Sequence, residues 1–315
     1  MSVTGPLYAL LSFAVFATHD AVIKFLGASY SPIQIIFFVT LFSFPLVTLM
    51  LMAERTEGHL RPVHPWWSLA RTLCTTIAGF AAFYAFTVLP LAQVYVLLFA
   101  SPLLITLLSI PMLGEKVGPH RLIAVLVGLC GVIVVLRPGA AELSLGHLAG
   151  AVAAVFGATA ALIVRKIGSE ERTAVLMLYP MVSNFVVMGA ILAFVYKPMP
   201  VAHLGGLGVV AVLSFVGGLV LIAAYRKADA AIVAPMQYSQ ILWATLYGFL
   251  FFDEGVDGYT LAGAGIIIAS GIYIVIRETR LGAASQAPIT RTRSRGATTA
   301  LFRISPLLKR KRQAS

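Results

Sequence analysis

Charge is what this chain has least of. Charged residues occupy 11% of its 315 positions, twelve acids against twenty-three bases, while 59% are hydrophobic and the mean hydropathy is +0.93. So little polar surface cannot cover a soluble globule of this length, so the bilayer is the solvent for most of the chain. Cysteine is nearly missing. Cys74 and Cys130 both fall in apolar runs, which excludes a disulfide framework and a cysteine metal site and leaves them as small packing residues. The six histidines are scattered, with no pair four apart on one helix to hold zinc. His59, His64, His120, His147 and His203 read as loop or interfacial residues. There is no GxxxxGK[ST] loop for ATP. Met1 to Pro6 carry no base and the first apolar run is too long for a signal h-region, so that run is expected to remain as a helix.

What is there in quantity is apolar segments of membrane length. At about 20 residues per spanning helix, spans are expected at 4–25, 32–53, 66–88, 91–113, 119–136, 145–164, 173–195, 204–225, 230–252 and 259–276. Counting Lys and Arg by alternate loops puts nineteen on one side, ten of them in the tail, against Lys24, Arg137 and Lys197 on the other. Both termini are therefore expected in the cytoplasm. Residues 277–315 hold ten bases and one acid, Glu278, so the membrane part is nearly neutral. Attraction of the tail to anionic inner-leaflet lipid, about 1 kcal/mol per basic residue near the surface, explains its charge without nucleic acid.

The second five spans repeat the first five. With Leu89–Lys116 laid over Ala228–Gly255, Ala92 meets Ala231, Leu103 meets Leu242, Thr106 meets Thr245, Leu107 meets Leu246 and Glu115 meets Glu254, with Phe99 over Tyr238. Ala14-Val15-Phe16 likewise matches Ala154-Val155-Phe156. An odd-numbered repeat inverts its second copy, which places Glu115 and Glu254 at opposite membrane faces. Inverted repeats are the usual build of a secondary transporter. The expected fold is an all-α polytopic membrane protein of ten helices in a 5+5 inverted arrangement. Its halves are residues 1–138 and 139–278, followed by a basic, disordered cytoplasmic tail, 279–315.

The stretches LPLAQVYVLLFASPLLITLLSIPMLGEKV and ADAAIVAPMQYSQILWATLYGFLFFDEGV each join a charge-poor turn, a long helix and a closing Glu. Over residues 4–278 the chain resembles the drug/metabolite transporter superfamily, and within it the EamA-type ten-helix carriers. That resemblance implies a carrier in the bacterial inner membrane that moves small organic solutes by alternating access. The opening ALLSFAVFATHDAVIKFLG and the loop RPVHPWWSLARTL are similar to a bacterial group that includes riboflavin importers, with S-adenosylmethionine uptake carriers as neighbours.

Polar residues inside the spans are the candidate site. On the first helix Phe13, Phe16, Asp20 and Lys24 share a face, with His19 turned about 100° away. The four-residue spacing predicts an Asp20–Lys24 ion pair, either functional at depth or seated in the headgroup region. Tyr95, Phe99, Pro102 and Thr106 align on the fourth span, Tyr238 and Thr245 on the ninth, with Gln237 and Gln240 on a neighbouring stripe and Trp243 close by. Amides in hydrocarbon need a cavity or a partner helix. The expected substrate contacts are Phe16, Asp20, Tyr95, Phe99, Thr106, Gln237, Tyr238, Gln240, Trp243 and Thr245, and the coupling candidates are His19 and Asp20. Pro45, Pro102, Pro180 and Pro235 each remove a helical hydrogen bond, which frees carbonyls near Leu98 and Ala231 or makes hinges. Ala124 with Gly128, and Gly265 with Ala269, read as close-packing pairs on a scaffold that also offers a homodimer contact.

If Lys24 neutralises Asp20, the lining of aromatics, amides and hydroxyls favours a neutral, planar, hydrogen-bonding substrate. Riboflavin fits best, with amino-acid export and S-adenosylmethionine uptake as the alternatives. A channel or membrane scaffold is the rival outside the carriers. No cofactor or metal is expected, nor an enzyme, since His19 and Asp20 alone make no catalytic constellation.

Overall fold

A computed structural model of the chain describes residues 4–53, 60–115, 117–137, 144–168, 170–227 and 233–280. The histidine at 59 and the tail from 281 onward lie outside the described residues, so the lipid contact expected of the tail stays an expectation. Every described element is a helix, as hydrocarbon demands of a backbone whose polar groups must bond within their own segment. The helices are α1 (Thr4–Gly27), α2 (Pro32–Ala53), α3 (Pro65–Val88), α4 (Leu91–Leu98), α5 (Ser101–Leu113), α6 (Pro119–Leu136), α7 (Leu145–Ile167), α8 (Thr173–Val195), α9 (Val201–Lys227), α10 (Gln240–Phe252) and α11 (Gly258–Arg280). A 3-10 turn, Ala234–Ser239, leads into α10. Among the described residues nine segments are long and apolar enough to cross a membrane, with α4 and α5 together forming one of them. The 3-10 turn and α10 supply the tenth apolar element, and the segment before it lies outside the described residues.

Local sequence sets the ends. Proline opens α3 and α6 at a position whose N–H has no helical partner in any case. Gly114 closes α5 at φ 68°, where a side chain would be strained. Pro45 and Pro180 sit inside α2 and α8 without ending them. Pro102 is different: α4 stops at Leu98 and a new helix begins at Ser101, with Pro102 in its first turn. The expected hinge in the fourth span is therefore a local interruption of the α-helical ladder, where Phe99 and Ala100 keep helical dihedrals and the Ala100 N–H turns to the Leu97 carbonyl.

Packing pairs α1 with α9, α3 with α7, α6 with α11 and α2 with α8. Exchanging the first five spans with the last five carries α1–α9 onto α7–α3 and leaves α2–α8 and α6–α11 unchanged. The α6–α11 seam brings backbone close to backbone. A Cβ on Gly263 would lie 2.5 Å from the Gly131 carbonyl oxygen and 2.4 Å from Val135 Cγ2, and Ser270 Oγ donates to the Ala124 carbonyl at 2.5 Å. Gly128 belongs to this face as expected, but Gly265 does not: a Cβ there would meet nothing within 4 Å. The contact stripe of α11 runs through Gly263, Ile267 and Ser270, and position 265 points away from it.

Gln34, fully buried at the start of α2, clamps the α8–α9 connection. Its Nε2 donates to the Lys197 carbonyl at 2.7 Å and its Oε1 accepts from the Lys197 N–H at 3.0 Å. Gln34→Leu removes both bonds and is expected to lower stability by roughly 1–3 kcal/mol. Thermal unfolding in detergent checks this, and an unchanged midpoint would mean that water replaces the clamp.

Candidate functional site

The polar centre is built where α1 meets the broken fourth span. Asp20 lies seven residues before the end of α1, about 10 Å of helix at 1.5 Å per residue. Its Oδ2 accepts a short hydrogen bond from Tyr95 Oη of α4, and its Oδ1 is 2.7 Å from His19 Nδ1. The side chains of His19 and Asp20 are only 12% and 13% exposed. One residue earlier, Thr18 Oγ1 shares a 2.9 Å hydrogen bond with Tyr247 Oη of α10. Neighbouring residues on α1 thus reach one group from each half of the chain.

Two sequence expectations are corrected here. Lys24 does not pair with Asp20. Its ammonium lies 2.7 Å from Glu254 Oε1 and donates to the Leu89 carbonyl at 2.5 Å, because a carboxylate more than two hundred residues away is brought directly to it. Asp20 has no Lys or Arg partner among the described residues. His19, expected to face elsewhere, folds back onto the Asp20 carboxylate, since side-chain rotation spans a 100° offset between neighbours.

Above the carboxylate runs a chain of rings. Tyr95 touches Phe86 and Phe99, with centroids 5.6 and 6.1 Å apart, and Phe99 meets Tyr238 edge-on at 5.2 Å. Phe99 sits in the break between α4 and α5, and Tyr238 in the 3-10 turn. Phe99 and Tyr238, aligned in sequence only as equivalent positions of the two repeats, are thus in direct contact, made by two irregular segments facing each other at membrane depth. Irregular backbone is tolerated there only when protein or a cavity surrounds it. Tyr238 is held close: a Cβ on Gly271 would fall 1.8 Å from its hydroxyl.

The other expected contacts scatter around this centre. Trp243 packs against Tyr247 at 6.4 Å, Gln237 is half-buried in the 3-10 turn, and Gln240 is buried where α10 begins. Phe16 leans on Gly217 of α9. Thr106 is buried, donating to the Pro102 carbonyl and accepting from Arg121. Thr245 donates to the Ile241 carbonyl and lines a cavity of about 40 Å³ beside Glu254. That volume suits a water or so, not a metabolite. Thr18, Tyr247 and Phe83, whose ring meets His19 edge-on at 6.4 Å, were missed. Tyr247 falls one turn beyond Trp243, which was the available signal, while nothing in sequence marks Thr18 over other threonines.

A family profile matches the chain twice, over residues 3–137 and 144–277. The chain belongs to the EamA-like transporter family. Among relatives, the pseudopaline exporter of Pseudomonas aeruginosa is 27% identical over 86% of this chain and 95% of its own. The S-adenosylmethionine uptake transporter of Rickettsia conorii is 26% identical over 87% and 93%. The riboflavin transporter of Rhizobium johnstonii is 29% identical over 77% and 79%. A solved structure 18% identical covers 88% of this chain and 97% of its own at a TM-score of 0.59, a likeness of fold. This EamA-type protein, of the drug/metabolite transporter superfamily, is therefore a multi-pass membrane transporter of small metabolites and not an enzyme.

Proposed function

We propose that the protein is a secondary carrier of the bacterial inner membrane, working by alternating access between two inverted halves, residues 1–138 and 139–278, with both termini cytoplasmic. The observation that carries this reading is that Thr18 and Phe99 of the first half, beside the Asp20–Tyr95 pair, meet Tyr247 and Tyr238 of the second at two irregular segments. The exchange relation among the helix pairings supports the inversion, and the excess of bases in alternate loops supports the orientation. Riboflavin uptake is the first specific reading: Tyr95, Phe99, Tyr238 and Trp243 offer ring faces, and Gln237 and Gln240 offer amides for a flat, hydrogen-bonding solute.

Asp20 favours a second reading. With Lys24 engaged elsewhere, its carboxylate is without a Lys or Arg partner among the described residues, which suits a positively charged substrate such as S-adenosylmethionine. The same cycle runs either way with the gradient.

The test is binding of riboflavin, FMN, tryptophan and S-adenosylmethionine to purified protein, read as thermal stabilisation, with Tyr238→Ala alongside. A substrate at a hundredfold excess over its Kd adds about 2.7 kcal/mol. Stabilisation by riboflavin that Tyr238→Ala abolishes is the expected result. A shift from S-adenosylmethionine alone selects the second reading. Silence from all four removes both substrates.

A further inference from the structure

Glu115 and Glu254 occupy the same place in the two repeats, and each has found a base from the opposite half. Glu254 follows α10 and binds Lys24, in the last turn of α1, at 2.7 Å. Glu115 follows α5 and pairs with Arg165, in the last turn of α7. Lys24 and Glu254 are 10% and 18% exposed, Arg165 and Glu115 16% and 17%, so all four side chains are largely withdrawn from solvent.

The pairs sit at opposite ends of one span. Glu254 Oε2 accepts the N–H of Leu91, the first residue of α4, at 3.0 Å, while Glu115 lies two residues beyond the end of α5. The 23 residues of α4 and α5 place the ends roughly 33 Å apart at 1.5 Å per residue, about the hydrocarbon thickness. Between them lies the Asp20–Tyr95 centre. On the Glu254 side Lys24 also binds the Leu89 carbonyl, so that one ion pair ties α1, α4 and α10 together. A third cross-half pair, Arg137 with Asp257, lies on the tight α6–α11 seam and joins elements already in contact along their length.

We propose that Lys24–Glu254 and Arg165–Glu115 are the two gates of the carrier, each latching one membrane face by tying the first half to the second. The physical reason is hydration. Charges taken apart inside a closed bundle would be left without partners, whereas charges taken apart at a face that has opened are met by water. Each pair therefore breaks only where its own face opens. With both pairs formed, the structure is latched at both ends. This inference rests on the alternating-access reading, yet its test needs no substrate.

The experiment places a single cysteine at Thr18→Cys in a Cys74→Ala, Cys130→Ala background. The rate of labelling by a membrane-impermeant methanethiosulfonate is then measured in right-side-out and inside-out vesicles. Glu254→Gln is expected to raise labelling at least tenfold from one face only, and Glu115→Gln at least tenfold from the other. The charge swap Lys24→Glu with Glu254→Lys is expected to restore the slow rate. If Glu254→Gln does not fold, Lys24→Gln opens the same latch. Opening of the same face by both variants, or no change in folded protein, overturns the gates. A failed substrate panel with opposite-face labelling would instead indict the substrate reading alone.

Discussion

Asp20→Asn will cut transport of a cationic substrate by about 10- to 100-fold while leaving the folded protein intact. The amide keeps the shape of the carboxylate and an oxygen for Tyr95, so the side-chain bridge between α1 and α4 survives. What is lost is charge. A hydrogen bond to a charged group contributes about 1.5–3 kcal/mol, and each 1.4 kcal/mol is a decade of affinity. A neutral flavin would lose much less, so the size of the loss separates the two substrates. Uptake by the variant, compared with wild type at equal membrane abundance, is the measurement. The same variant bears on His19 and Asp20 as coupling groups. If Asp20 carries the proton, the pH dependence of uptake flattens in Asp20→Asn; an unaltered profile places coupling elsewhere.

Gly263→Val will be the most damaging small substitution on the scaffold. Its first added carbon would lie 2.5 Å from the Gly131 carbonyl oxygen, and backbone cannot yield as a side-chain tip can. Overpacking of this kind typically costs about 1–3 kcal/mol, and here α6 and α11 must part along the seam to relieve it. Gly265→Val, two residues away, meets nothing within 4 Å and should stay within about 0.5 kcal/mol of wild type. Unfolding midpoints of the two variants in the same detergent decide it, and equal losses would refute the contact stripe.

The spans were readable because a bilayer imposes length and hydropathy on sequence directly, and the helix bounds lie within a few residues of those expected. The repeat aligned Phe99 with Tyr238 as equivalent positions, but equivalence does not say that two residues touch, and their contact appears only in the folded bundle. Other features depend on what arrives from far along the chain. Lys24 has an acid four residues away, and local spacing favours that partner; only the folded bundle brings Glu254 closer. Thr18 looks like any helical threonine until Tyr247 is placed against it. Gly263 and Gly265 are equally small in sequence, and which of them touches α6 depends on a rotation of α11 that composition does not encode. Pro102 announced a disturbance in the fourth span but not whether it bends the helix or ends it.

Phe99 touches Tyr95 on one side and Tyr238 on the other, and it stands in the gap where the fourth span is interrupted. If Tyr95 and Tyr238 line the proposed cargo site, a solute there shares its wall with the ring that joins the two halves, and the halves cannot separate without reshaping the surface that would recognise the cargo. Choosing a cargo and releasing it are then one mechanical act, and a substitution at Phe99 that widens the range of accepted molecules would also loosen the grip of one half on the other.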